Sequence, residues 1–201
     1  MSASRVGTRS QGAGFKAREL DQRTWPDLER TLEKHDGVWN GCWCVAFHLA
    51  RGEKPQEYGG RRAMKEKLVR ESRTHAALVF DGPDVVGWCQ YGPPTELPAR
   101  LSAYGRLELD LPDWRITCFF VDKDRRGEGI AKAALRGALG SIADKGGGTV
   151  DAYPTDNSRE KPTSSSFLWS GTITMFKAAG FRKIGSTGKS KVVMRKDVRK
   201  R

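Results

Sequence analysis

Residues 116–143 read ITCFFVDKDRRGEGIAKAALRGALGSIA, and this stretch decides the fold. Ile116, Cys118, Phe119, Phe120 and Val121 form a short, nearly unbroken apolar run, the pattern of a strand covered on both faces. After Gly129 the apolar residues Ile130, Ala131, Ala134, Leu135, Ala138, Leu139 and Ile142 recur at helical spacing, and the glycines at 146–148 end the pattern. Between strand and helix, Arg125-Arg126-Gly127-Glu128-Gly129 places residues with little bulk where the first N–H groups of the helix have no partner. A phosphate can sit there. A GxG in a chain with 23 glycines is more often just a turn that needs positive φ. The GxxxxGK[ST] phosphate loop and the GxGxxG dinucleotide fingerprint are both absent.

The segment FFVDKDRRGEGIAKAAL (119–135) resembles the acetyl-CoA motif of the GNAT acetyltransferase superfamily, and MFKAAGF (175–181) resembles its second motif. The two stand in the family's order, and the likeness runs from about residue 76 to 194. GCWCVAFH (41–48), DAYP (151–154) and WSGTITMFKAAGF (169–181) also resemble a bacterial branch of the superfamily that offers no acceptor to carry over. The resemblance implies an α/β fold: a single domain over residues 15–195 with a mixed, mostly antiparallel central sheet flanked by helices. It implies acetyl-CoA as co-substrate, an amine acceptor that is a small molecule or a basic peptide, and an association into homodimers that is common in the superfamily.

At 201 residues the chain can bury one good core, and 37% hydrophobic with 30% charged residues is an ordinary globular composition. No apolar run reaches membrane-spanning length and no signal-peptide core is seen, so the expectation is a cytoplasmic protein with no membrane partner. Cys42, Cys44, Cys89 and Cys118 are too few and too irregular for a disulfide scaffold, and are expected to be reduced. The net charge is +12, with a basic tail expected at residues 196–201. Such a tail can attract nucleic acid, but solvated basic termini carry no specificity, so nucleic acid is the lesser expectation.

Residues 1–14 read as a disordered leader. A first strand is expected at 15–20, then a helix capped by Thr24 with Trp25, Leu28 and Leu32 inward. Residues 55–72 read as a second helix, with Lys65 on a solvated Arg/Lys face that could instead attract an acidic acceptor. Residues 76–80 and 85–91 form a hairpin around Asp81-Gly82-Pro83-Asp84. Residues 92–113 are long for a structureless loop, 149–153 read as a strand and 156–166 as a loop. Ser170 is expected to cap a helix over 171–179 that Gly180 and Phe181 close, and strands at 182–184 and 191–194 end the fold. Cys42, Cys44 and His48 suggest zinc at first sight, but a CxC with one His lacks the second pair of a structural site. The expectation is no metal, with these side chains walling the acceptor site.

By matched position, the resemblance assigns the pyrophosphate to the backbone of Arg126, Gly127, Glu128, Gly129, Ile130 and Ala131, and the pantetheine arm to Phe119, Phe120 and Val121. Phe176 stands where the family often has a tyrosine that protonates the departing thiolate, and Trp169 where it often has an asparagine. Phe176 has no proton to give, so it is expected only to contact the cofactor, and Tyr153 or a serine is the candidate acid. For the base, Glu108 and Asp110 precede the central strand and could point the same way on an extended segment. Glu96 and Asp151 are further carboxylates in reach. The function expected is acetyl transfer to a primary amine. The alternatives are a non-catalytic acyl-CoA-binding module and a nucleic-acid-associated protein.

Overall fold

The computed structural model describes residues 14–155, 169–186 and 191–201. Its strands are β1 (Lys16–Glu19), β2 (His75–Asp81), β3 (Asp84–Gly92), β4 (Trp114–Val121), β5 (Gly148–Ala152), β6 (Arg182–Ser186) and β7 (Val192–Val198). They form one sheet in the order β1-β2-β3-β4-β5-β7-β6. The helices are α1 (Trp25–Lys34), α2 (Arg61–Arg70), α3 (Ser102–Leu107), α4 (Ile130–Asp144) and α5 (Ile173–Ala178). Only β4 and β5 are parallel neighbours, since the α4 crossover returns the chain to the same end of the sheet. The mixed, mostly antiparallel sheet with flanking helices is as the sequence implies.

The two sides of the sheet follow the period of two. Ala77, Val79, Val86 and Cys89 pack with α4, whereas Ala76, Leu78, Phe80, Val85 and Trp88 pack with Trp25, Leu28 and Leu32 of α1. α4 lies close on the sheet at Gly137, where a Cβ would come within 2.7 Å of Ala17 and 3.0 Å of Ala77.

The feature that creates the site is where β4 and β5 part. Their pairing runs from Trp114 opposite Val150 to Ile116 opposite Ala152 and stops there. On its other edge β4 pairs Ile116 with Tyr91 and Cys118 with Gln90, so Thr117 is an extra residue, a bulge at the point of parting. Beyond it, the edge of β4 that faces away from β3 has no strand beside it among the described residues.

Several elements differ from the sequence reading. The second helix is split: a 3-10 turn (Pro55–Tyr58) ends at Gly59 and Gly60, whose φ values are 80° and 105°, before α2 starts. Lys65 lies inward, 1% exposed, donating to Thr74 Oγ1 at 2.8 Å. On the outer face of α2, Arg62 is engaged by Glu29, Glu33 and Glu66. Thr24 precedes α1 but does not cap it; its hydroxyl donates to the Glu19 carbonyl, and the Asp21 carboxylate takes the N–H groups of Arg23 and Thr24. At α5 the cap is Thr172, not Ser170, with its hydroxyl accepting from Met175 N at 3.2 Å. Gly180, φ 86°, and the Phe176–Phe181 ring contact at 5.0 Å close that helix as expected. The long segment 92–113 contains α3. The expected tail is partly sheet: β7 continues to Val198 opposite Gly148, and Arg201 N donates to the Ala143 carbonyl. The loop at 156–166 and residues 1–13 of the leader lie outside the described residues.

Candidate active site

A cleft of about 370 Å³ opens where β4 leaves β5, lined by Phe119 and Val121 of β4, the turn residues Arg126, Gly127 and Gly129, and the start of α4 at Ile130, Ala131 and Lys132. Gly127 and Gly129 both have φ 88°, and a Cβ at either would touch nothing, so glycine is needed there for backbone conformation, not for space. Glu128 turns away from the cleft and grips Arg125 at 2.9 Å, while Arg125 also reaches Asp81 at 2.8 Å, tying the turn to the β2–β3 hairpin. The opposite wall is Gly171, Thr172 and Met175. Gly171 has no room for a Cβ, which would lie 2.8 Å from Met175 and Phe176.

One expected cofactor contact, Phe176, does not line the cleft. It is fully buried between Phe119 and Phe181 and supports Gly171 and Met175, which do line it. The Phe120 ring points to the opposite side of the sheet and stacks on Trp88 at 4.4 Å, so only its backbone remains on the β4 edge.

The next wall is the stretch 35–48. Six consecutive residues, from Asp36 to Gly41, have positive φ between 40° and 72°, making a left-handed turn that Cys42 N closes on the Val38 carbonyl at 2.8 Å. Left-handed backbone costs roughly 1–2 kcal/mol per ordinary residue, and Val38 and Trp39 have no glycine or asparagine tolerance for it. Tertiary contacts hold it. Val38 is 5% exposed in the α1 core, and Arg61 donates to the carbonyls of Asn40 and Gly41. The result is Trp39 on the cleft wall, with a buried indole N–H that has no partner among the described residues.

Cys42, Cys44 and Cys118 line a smaller cavity of about 130 Å³ with Trp39, Phe47 and Trp169. Cys44 and Cys118 lie sulfur to sulfur at 3.9 Å. The hydrogen bond with Cys118, opposed by burial and aided by the Lys65 charge and the Trp88 N–H, brings the Cys44 thiol down to about 7. His48 is engaged elsewhere. Its Nδ1 sits 2.8 Å from the Glu96 carbonyl and must carry the hydrogen, so its Nε2 lone pair accepts from the Thr74 hydroxyl at 3.0 Å, and burial keeps the ring neutral. Cys42 and Cys44 do wall the site, and His48 does not.

A third cavity, about 300 Å³, lies beyond this one. Arg100, Arg106, Arg115 and Lys191 meet there among Phe47, Tyr153 and Trp169. These cations come from a loop, α3, β4 and the approach to β7, and their spacing in the sequence gives no sign that they converge. Tyr153 lies here as an expected site residue. Its hydroxyl accepts from Arg115 Nε at 2.9 Å and hydrogen-bonds Tyr104, which donates to Asp151 at 2.8 Å; burial raises its pKa, so the phenol keeps its proton.

Glu108 and Asp110 are not brought to the cleft. Glu108 is the left-handed cap of α3, φ 53°, and both carboxylates are exposed, because Leu107 and Leu109 pack onto Gly185 of β6 and turn the segment outward. Asp151 is fully buried and held by Arg195 at 2.7 Å, and Glu96 pairs with His75.

Residues 19–160 match the Acetyltransferase (GNAT) family. No curated protein matches the chain. Among solved structures, the CoA-dependent acyl-homoserine lactone synthase BjaI, solved with SAM and isopentyl-CoA, superposes with TM-score 0.57 at 16% identity over 92% of this chain and 84% of that one. The histone acetyltransferase HPA2 and related acetyltransferase from Corynebacterium glutamicum gives 0.54 at 13% identity over 91% and 96%. An N-acetyltransferase from Staphylococcus aureus Mu50 gives 0.52 at 17% identity over 93% and 100%. At these identities the likeness speaks for the fold alone. With the parted β4 and β5, the glycine turn and a family match covering most of its length, the chain belongs to the GNAT acetyltransferase family.

Proposed function

We propose that the protein transfers an acetyl group from acetyl-CoA to the primary amine of a small molecule by direct attack on the thioester. The observation that carries this reading is the junction of cavities. The donor cleft shares Trp39 with the 130 Å³ cavity, which shares Phe47, Arg100 and Trp169 with the 300 Å³ cavity, so the three lie side by side. The residues present fit an acyl-CoA. The turn from Arg126 to Ala131 offers backbone N–H groups to a pyrophosphate, and the open edge of β4 offers the hydrogen bonds of a strand to a pantetheine arm. Thr117 Oγ1 and Trp39 Nε1 are buried polar atoms without a partner among the described residues.

When bound, acetyl-CoA supplies the acyl carbon as a thioester. Transfer forms one C–N bond and breaks one C–S bond, with a proton lost by the amine and one gained by the thiolate. Tyr153, accepting from Arg115 and tied through Tyr104 to Asp151, lines the 300 Å³ cavity and not the donor cleft, so we assign it to holding the acceptor side, and the two protons pass through solvent. Tyr153→Phe should raise KM for the acceptor by about tenfold with acetyl-CoA affinity unchanged. Acetyl-CoA binding by calorimetry, and acetylated products from mixed amine pools by mass spectrometry, test the whole reading; a chain that binds no acetyl-CoA ends it.

Phe176, buried and without a proton, favours a second reading as a non-catalytic acyl-CoA-binding module. Acetyl-CoA binding with no free thiol released across the pools would select it.

A further inference from the structure

The acceptor reading leaves open what the amine is attached to, and the 300 Å³ cavity bears on that. Four of the residues lining it, Arg100, Arg106, Arg115 and Lys191, are cationic, and among the described residues none of its lining is acidic. None of the four takes part in an ion pair among the described residues. The nearby carboxylate of Asp151 is already neutralised by Arg195, which holds both its oxygens at 2.7 and 2.9 Å. Among the described residues, then, these charges belong to no salt-bridge network.

Arg100 and Arg106 are exposed, whereas Lys191 is part-buried and Arg115 buried. Arg115 is 1% exposed, its guanidinium fixed by Tyr153, by the Ala99 carbonyl at 3.1 Å and by the Leu97 carbonyl. Lys191 is held by Thr155 Oγ1 at 2.8 Å and Ser170 Oγ at 2.6 Å, and lies 4.5 Å over the Trp169 ring. Arg100 sits over the rings of Phe47 and Trp169 at 5.4 and 5.8 Å. Holding like charges together at a partly enclosed cavity is unfavourable until an anion enters. Burial and the Arg100 charge bring Lys191 down to about 8, the direction expected of that crowding.

Resting on the acyl-transfer reading, we infer that this cavity binds the anionic group of the acceptor, so that the substrate is a small amine that also carries a carboxylate or phosphate. The guanidinium forks suit a planar oxyanion, and the ring faces of Phe47 and Trp169 suit an apolar body between the anion and the amine. The amine is then presented through the 130 Å³ cavity toward the donor cleft, the anion held at the far end. The Arg/Lys face of α2 plays no part, since Lys65 is buried and Arg62 is engaged by carboxylates.

The test uses the full chain with acetyl-CoA and matched acceptor pairs: phenylalanine against phenethylamine for a carboxylate, phosphoethanolamine against ethanolamine for a phosphate. Products are read by mass spectrometry as kcat/KM. In parallel, calorimetry without donor compares N-acetylphenylalanine with N-acetylphenethylamine, and phosphoethanolamine with ethanolamine. The expected result is a preference of about tenfold or more for the oxyanion-bearing member of at least one pair, the pair showing which anion is read. Arg106→Gln and Lys191→Met should each erode that preference by about tenfold while acetyl-CoA affinity, which also reports folding, stays as in the parent. Equal or better use of the neutral amines overturns the inference and leaves the acyl-transfer reading standing. If acetyl-CoA does not bind, the acyl-transfer reading fails, and the calorimetric arm still decides whether the cavity holds an oxyanion. No oxyanion-bearing compound binding at millimolar concentration overturns the inference.

Discussion

The glycine turn and the wall proposed for the acceptor are built on opposite principles. The turn from Arg126 to Ala131 is contiguous in the chain, made of backbone, and relaxed, since its two left-handed positions are glycines. The acceptor wall combines a left-handed loop of mostly non-glycine residues with four cations from four separate segments. A backbone site needs only a local conformation, so glycine spacing suffices to encode it. A side-chain site needs distant segments brought together and held there against strain and charge repulsion, and only a finished core can do that.

The comparison is broken most directly at the turn. Gly129→Val puts a β-branched residue at φ 88°. Strain of ~1–3 kcal/mol should weaken acetyl-CoA binding by roughly tenfold to a hundredfold in calorimetry, with little change in anion binding to the acceptor cavity; equal loss at both would mean that the two sides are not independent. Next is Phe176→Tyr, which restores the residue the family often carries. Because this ring is fully buried and off the cleft, the added hydroxyl should cost about 1–3 kcal/mol in urea unfolding without raising turnover. A gain in kcat would show that position 176 does reach the reacting atoms.

Titration should divide the two sides. Lys191 is charged below about 8 and neutral above it, and Arg100, Arg106 and Arg115 share its cavity. Affinity for an anionic acceptor should therefore be full near pH 7 and fall by about tenfold as pH rises through 8, whereas acetyl-CoA affinity, resting on backbone N–H groups, should stay level. A melting curve at each pH separates this from loss of the fold. Burial works to lower the His75 pKa, but Glu19 and Glu96 outweigh it and raise it from 6.5 to about 9. The stability these pairs give is whole below 6.5 and is lost progressively as pH rises from there through 9. The smallest effect is expected in the strained loop. Asn40, exposed at φ 62°, should gain about 0.5 kcal/mol on Asn40→Gly, read as a higher urea midpoint. A lower midpoint would argue against the left-handed turn.

What was legible follows the same division. The β4-turn-α4 unit, the β2–β3 hairpin and the Gly180–Phe181 closure are local patterns, and each stands where the sequence puts it. The carboxylates were misjudged because alternation of Glu108 and Asp110 assumes extended backbone, and α3 with its left-handed cap replaces it. Lys65 reads as a surface cation on composition, yet Thr74 and the surrounding core take it in. Phe176 has the register of a cofactor contact, but the packing of Phe119 and Phe181 draws it behind the wall.

By itself, then, the sequence determined most of the element order, the α/β class, the glycine turn and the family, because each rests on periodicity, on local motifs or on the backbone freedom of a few glycines. Only the tertiary structure decided that β4 and β5 part at the Thr117 bulge, that Trp39 is held over the cleft, and that Arg100, Arg106, Arg115 and Lys191 converge. Those arrangements depend on long-range packing and electrostatics, where the relevant neighbours are close in space and far apart along the chain.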